Sequence, residues 1–129
     1  MYAYVDEDDA NHAKSLTLLT SHPGPLLVPA LVITEVAYLL ATRLGATAEV
    51  RFLGDLAAGS LTAVNVEPSD WLRMGQLVAR YADLGLGTVD ASVIATAERL
   101  RIGTIATFDR RHFGVVRPGH VTAFDIVPP

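Results

Sequence analysis

The sequence contains no cysteine. Disulfide staples and thiolate metal sites are therefore excluded, and the composition fits a reducing compartment. A surplus of positive charge is missing too: ten Lys and Arg stand against fourteen Asp and Glu, a formal net charge of −4. Nucleic-acid binders usually carry a basic excess, so any contact with RNA or DNA has to be local or bridged by metal cations. The acidity also suits a basic protein partner. Long hydrophobic runs are absent, because the most apolar stretch is broken by Thr34, Glu35 and Arg43, and no segment reads as membrane-spanning. No basic, apolar, small-residue leader opens the chain, which sets the expectation of a cytoplasmic protein. Internal repeats, low-complexity tracts and linkers are not found.

What remains describes a globular chain. Half of its residues are apolar and 19% are charged, and its 129 residues suit one domain, 1–129, with a sizeable core. Residues 1–5 read as the tail of a buried segment, and residues 8–20 as a helix with Ala13, Leu16 and Leu19 inward. Leu26–Val28 is a short strand candidate, with Pro29 opening the next helix where proline is tolerated. Residues 30–45 are apolar on nearly every face, which predicts a largely buried helix. A second helix follows with Val50, Leu53 and Leu56 inward, then a strand over 61–66. Residues 67–84 form a long amphipathic helix, with Trp71, Met74, Val78 and Tyr81 along a core-facing stripe. Strands at 104–108 and near the C-terminus complete the set. Strands alternating with helices predict an α/β layered domain with a mainly parallel sheet.

Three acids stand out by context. Asp90 directly precedes an apolar-periodic run with Val93, Ala97 and Leu100 at helical spacing, which makes it an N-cap candidate at the electropositive end of a helix. That helix closes on Arg99 and Arg101, with Gly103 as its stop. The strand after it ends on Asp109. Glu35 lies within the apolar helix over 30–45, where a buried carboxylate needs a partner. Each has a plainer reading: Asp90 and Asp109 as caps, Glu35 as part of a surface stripe. A helix opening on an acid, followed by a strand closing on one, can however bring carboxylates to the same sheet edge, where ligands of α/β sheets bind. Carboxylates share a site only when a cation neutralises them. Oxygen donors without cysteine or recurring histidine point to Mg²⁺ or Mn²⁺ rather than zinc. Such an ion activates water and clamps a phosphate.

Competing motifs are weak. The histidines at 12, 22, 112 and 120 read as surface residues. The glycines at 85 and 87 lack a phosphate-loop lysine, and Ser60 and Ser92 lack a nucleophile elbow. A phosphatase using Asp90 as nucleophile is remote, because no phosphate loop supports it. Arg110 and Arg111, beside the proposed metal edge, are either phosphate contacts or solvated cations.

The stretches ITEVAYLLATRLG (33–45) and YADLGLGTVDASVIATAERLRIGTIATFDRRHF (81–113) resemble the PIN domain and, within it, the VapC toxins of toxin–antitoxin pairs. The resemblance runs over nearly the whole chain. It implies a PIN-like three-layer α/β domain, a mainly parallel central sheet flanked by helices, and a Mg²⁺-dependent endoribonuclease, with Mn²⁺ as a substitute. Its acidic site falls on Glu35, Asp90 and Asp109, and Arg43 joins Arg110 and Arg111 as candidate substrate contacts. It further implies cleavage of structured RNA (a tRNA or a ribosomal RNA loop), silencing by a VapB-type antitoxin, and a homodimer. The family opens with a strand ending in a metal-binding Asp, whereas this chain begins MYAYVDEDD, which resembles the piece just after it. The expectation is therefore a truncated first strand and a missing first acid. A start further upstream accounts for this better than a shortened form, because losing a central strand exposes paired edges. The other outcome is a catalytically impaired scaffold or remnant that binds an antitoxin without cleaving RNA.

Overall fold

The computed structural model describes residues 26–107 and 110–127, with the backbone alone at Arg110 and Arg111. The expected N-terminal segment and helix, with the proposed truncation of the first strand, lie outside the described residues, as do Phe108 and Asp109. The chain divides into two compact units, Met1–Val64 and Asn65–Pro129.

In the first unit, β1 (Leu26–Pro29) is followed by α1 (Ala30–Arg43), α2 (Ala46–Ala58) and β2 (Leu61–Val64). The strands pair in parallel, from Leu26 opposite Leu61 to Pro29 opposite Val64. A parallel pair needs a crossover, and the two helices supply it. Val28, Val36, Leu40, Phe52 and Leu61 form the core, with Leu26, Val32, Ile33, Ala37, Ala48 and Leu56 packed against it.

Three expectations are corrected here. Only Val36 and Leu40 are fully buried in α1, while Thr34, Glu35, Tyr38, Ala41, Thr42 and Arg43 are exposed, so the helix is one-sided despite its apolar composition. In α2 the inward stripe is Ala48, Phe52 and Leu56, and Val50 and Leu53 face outward at 67% and 48% exposure. Both stripes have helical spacing, but only one buries the large Phe52 ring, which removes more apolar surface from water than Val50 can. Pro29 closes β1 and serves as the N-cap of α1, at φ −58° and ψ 143°, rather than opening the helix. Gly59 ends α2 at φ 83°, where its missing Cβ permits the left-handed turn.

The second unit runs α3 (Pro68–Arg80), a 3₁₀ turn (Ala82–Leu84), α4 (Thr88–Leu100), β3 (Thr104–Ala106), α5 (Arg110–Phe113) and β4 (Asp125–Val127). β3 and β4 pair in parallel, with Ile105 opposite Ile126. Ile105 is buried between exposed neighbours, the two-residue period of a strand with one covered face. α4 is the most buried helix described: Ala91, Ser92, Ile94, Ala95, Thr96 and Ala97 are all inside. In α3 the expected Met74 is buried, together with Asp70 and Leu77, and Val78 and Tyr81 are half-buried, but Trp71, expected on the same stripe, is 53% exposed. α4 stops earlier than expected. Arg101 takes the left-handed conformation at φ 56°, while its N–H reaches Glu98 O and that of Ile102 reaches Ala97 O at 2.8 Å. This is a Schellman closure made without glycine.

Both described pairings are parallel and joined through helices, so the α/β class stands. No helix among the described residues is long and apolar enough to cross a membrane.

Candidate active site

α4 carries the central acid. Its N-cap is Gly87, so Asp90 is the third helical residue rather than the cap. The carboxylate therefore sits within the first turn, where unpaired backbone N–H groups and the helix dipole favour negative charge.

Two ion pairs hold α4 against α3. Arg99 Nε lies 3.1 Å from both carboxylate oxygens of the buried Asp70, and Arg99 Nη2 donates to Asn65 O at 3.2 Å. Asp70 also accepts the Glu67 backbone N–H at 2.9 Å, so one carboxylate caps α3 and anchors α4. Asp70 takes the inward place towards Arg99, and the neighbouring Trp71 is exposed. Arg73 grips Glu98 through two parallel bonds of 2.7 and 2.9 Å, and Glu98 accepts the Gly119 N–H at 2.6 Å. Burial opposes the charged form of Glu98. The Arg73 and Gly119 hydrogen bonds and the positive charge of Arg73 outweigh it, and the pKa is lowered. The same bond to Glu98 raises the Arg73 pKa against its own desolvation.

Asp90 has a partner that the sequence did not reveal. His112, from the four-residue α5, places Nδ1 2.7 Å from Asp90 Oδ2. The histidine side chain is 8% exposed and that of Asp90 29%. Buried Phe113 and Val116 anchor the segment, with the Val116 N–H bonded to His112 O at 3.2 Å. The expectation that every histidine is a surface residue is thus wrong for His112. His120 is half-buried as well, donating from Nε2 to Ile102 O at 2.6 Å and standing edge-on to Phe124. His12 and His22 lie outside the described residues. The only local signal for His112 was its place beside Phe113 in a segment following an acid.

Of the other candidates, Glu35 is exposed on α1 and Arg43 is exposed at that helix's end, both in the first unit. Asp109 lies outside the described residues, and Arg110 and Arg111 are described only as backbone of α5. Among the described residues no group of three or more His, Asp or Glu side chains is gathered to hold a cation. Asp90 itself, partly exposed and with Oδ2 taken by His112, offers the carboxylate oxygen that a hard cation prefers.

The PIN domain family profile matches residues 1–117. The chain belongs to the PIN domain family. Among its relatives, this PIN domain is 34% identical over 128 residues to Ribonuclease VapC26 of Mycobacterium tuberculosis (strain ATCC 25618 / H37Rv), a match covering 99% of this chain and 95% of that protein. The crystal structure of Mycobacterium tuberculosis VapC20, a sarcin-ricin loop cleaving toxin, superposes with a TM-score of 0.78. That match covers 94% of this chain and 92% of VapC20 at 21% identity, a likeness of fold. The PIN-like, VapC-type α/β fold expected from the sequence is therefore the fold found.

Proposed function

We propose that this PIN domain is a Mg²⁺-dependent endoribonuclease, the toxin of a VapBC-type toxin–antitoxin pair, acting on structured RNA. The observation that carries the reading is Asp90. Its carboxylate stands in the first turn of α4, held at 2.7 Å by a buried histidine, in a chain 34% identical to a ribonuclease. The reading treats residues 1–129 as a single PIN domain, supported by a profile match that runs from residue 1 to residue 117.

Glu35, Asp90 and Asp109 are the residues to hold the cation. Carboxylate donors without cysteine suit Mg²⁺, with Mn²⁺ as substitute. The chemistry a bound ion of this kind supplies is activation of water and neutralisation of phosphate charge. The chain's own contribution is positional. Asp90 presents an oxygen at a helix start, the two ion pairs to α3 keep α4 in place, and Arg43, Arg110 and Arg111 are suited to hold RNA phosphates. Local arginines of this kind reconcile RNA binding with a net charge of −4. A VapB-type antitoxin, a homodimer and a cytoplasmic location complete the proposal, on the strength of the VapC relatives.

The test is cleavage of a panel of structured RNAs, tRNAs and the sarcin–ricin loop among them, by the purified chain with and without Mg²⁺. Wild type is expected to cut at defined positions only with the ion, and D90N to lose at least about 100-fold in rate, as expected when a metal ligand is removed. Absence of Mg²⁺-dependent cutting by wild type, or wild-type rates in D90N, overturns the assignment and leaves an antitoxin-binding scaffold in its place.

A further inference from the structure

We infer that His112 is a positioning residue, whose Nδ1–H holds the Asp90 carboxylate in the orientation that receives the cation. The inference rests on the cation site proposed above. It goes beyond that site by naming a histidine that supports the ligand without being one.

The geometry carries it. An ionised carboxylate is acceptor-only, so the 2.7 Å contact places the proton on Nδ1 of the imidazole. Charge-assisted bonds of this length are among the strong ones. The contact engages Oδ2 and leaves Oδ1 as the oxygen that the imidazole does not use. The exposures match this division, with the histidine side chain 8% and the aspartate 29% exposed. The imidazole side is interior and the carboxylate side reaches solvent, where an ion arrives. His112 is itself fixed. Phe113 and Val116 beside it are buried, and the Val115 and Val116 N–H groups both bond to the His112 carbonyl. An aspartate left alone samples several side-chain rotamers, and ordering it on binding costs entropy. A hydrogen bond already in place removes that cost, which is why partners behind metal-bound carboxylates typically contribute 10–100-fold in affinity. His112 also lies three residues beyond Asp109, so the bond ties the segment that follows one proposed ligand to the helix that carries another.

Mn²⁺ binding, followed by the loss of the free-ion EPR signal, tests this without any RNA. Wild type, D90N, H112N, H112Q and H112L are compared in the purified chain. Wild type is expected to bind and D90N to bind far more weakly. H112Q, whose amide falls at the Nε2 position, and H112L, which has no donor, are expected to weaken Mn²⁺ by about 10–100-fold. H112N, whose Nδ2–H falls near Nδ1–H, is expected to stay within about threefold of wild type, since the bond to Asp90 survives. Equal affinity in wild type, H112Q and H112L overturns the role of His112 while leaving the site intact. Loss in H112N equal to that in H112Q overturns the hydrogen bond as the device. No Mn²⁺ binding by wild type overturns the site itself. A wild-type measurement covers variants that fail to fold: the His112 Nδ1–H proton resonance is expected far downfield and to move on adding Mg²⁺. Its failure to move in protein saturated with Mg²⁺ also counts against the inference.

Discussion

Replacing Arg99 by Met removes the cation that faces the buried carboxylate of Asp70, and the arrangement sets the size of the effect. Asp70 is 4% exposed at its side chain and Arg99 28%, with Nε 3.1 Å from each carboxylate oxygen. Breaking a fully buried pair costs about 3–5 kcal/mol, because the remaining charge is left without compensation. Here the arginine side is partly open, so water reaches part of the vacated space, and Asp70 keeps the Glu67 N–H at 2.9 Å. The expected loss for R99M is therefore about 2–4 kcal/mol. With a urea m-value of about 2 kcal/mol/M, the unfolding midpoint falls by about 1–2 M. The decisive comparison is R99M/D70N. The asparagine oxygen still accepts the Glu67 N–H, and no charge is stranded, so the double variant is expected to be at least as stable as R99M alone. A double variant clearly less stable than R99M, or an R99M loss below about 1 kcal/mol, refutes the account of Asp70 as a buried charge held by Arg99. Because α4 carries Asp90, R99M is also expected to lower RNA cleavage at temperatures where the protein remains folded.

Substituting Glu98 tests the second clamp through pH. Its folded pKa is lowered from 4.5, so its stabilisation is full above the unfolded value and lost as pH falls through the folded one. The stability gap between wild type and E98Q, from urea midpoints, is expected to be constant above about pH 5 and to shrink below about pH 4.5. A gap that widens on acidification contradicts the sign. In the first unit, F52A is expected to cost about 3–5 kcal/mol, because Phe52 is 1% exposed. V50A, at 67% exposure, is expected to change stability by less than about 0.5 kcal/mol. Chemical denaturation of the pair checks which stripe of α2 faces inward. D90N is expected to lose only about 1–2 kcal/mol, since the asparagine oxygen still accepts the His112 N–H while the charge assistance and the dipole interaction are lost. A larger collapse would mean that any loss of cleavage reports unfolding.

Local chemistry carried much of this protein's description. Alternating strands and helices, a short strand at Leu26–Val28, the place of Asp90 at the electropositive start of a helix (though not as its cap), and the resemblance carried by ITEV, VDAS and FDRRHF are all written in neighbouring residues. Periods of two and of about 3.6 residues are local properties, so a sequence can name an element and its general site. Tertiary structure decided the rotation of each helix and the identity of the partners. Val50–Leu53–Leu56 and Ala48–Phe52–Leu56 are both helical stripes, and packing chose the one that buries Phe52. Trp71 looked like core on the stripe it shares with Met74, but the inward place beside Met74 belongs to Asp70, which pairs with Arg99, 29 residues away. His112 meets Asp90 across 22 residues. No periodic pattern encodes that distance, because it is set by how α5 and α4 pack within one unit and not by the spacing of the residues along the chain.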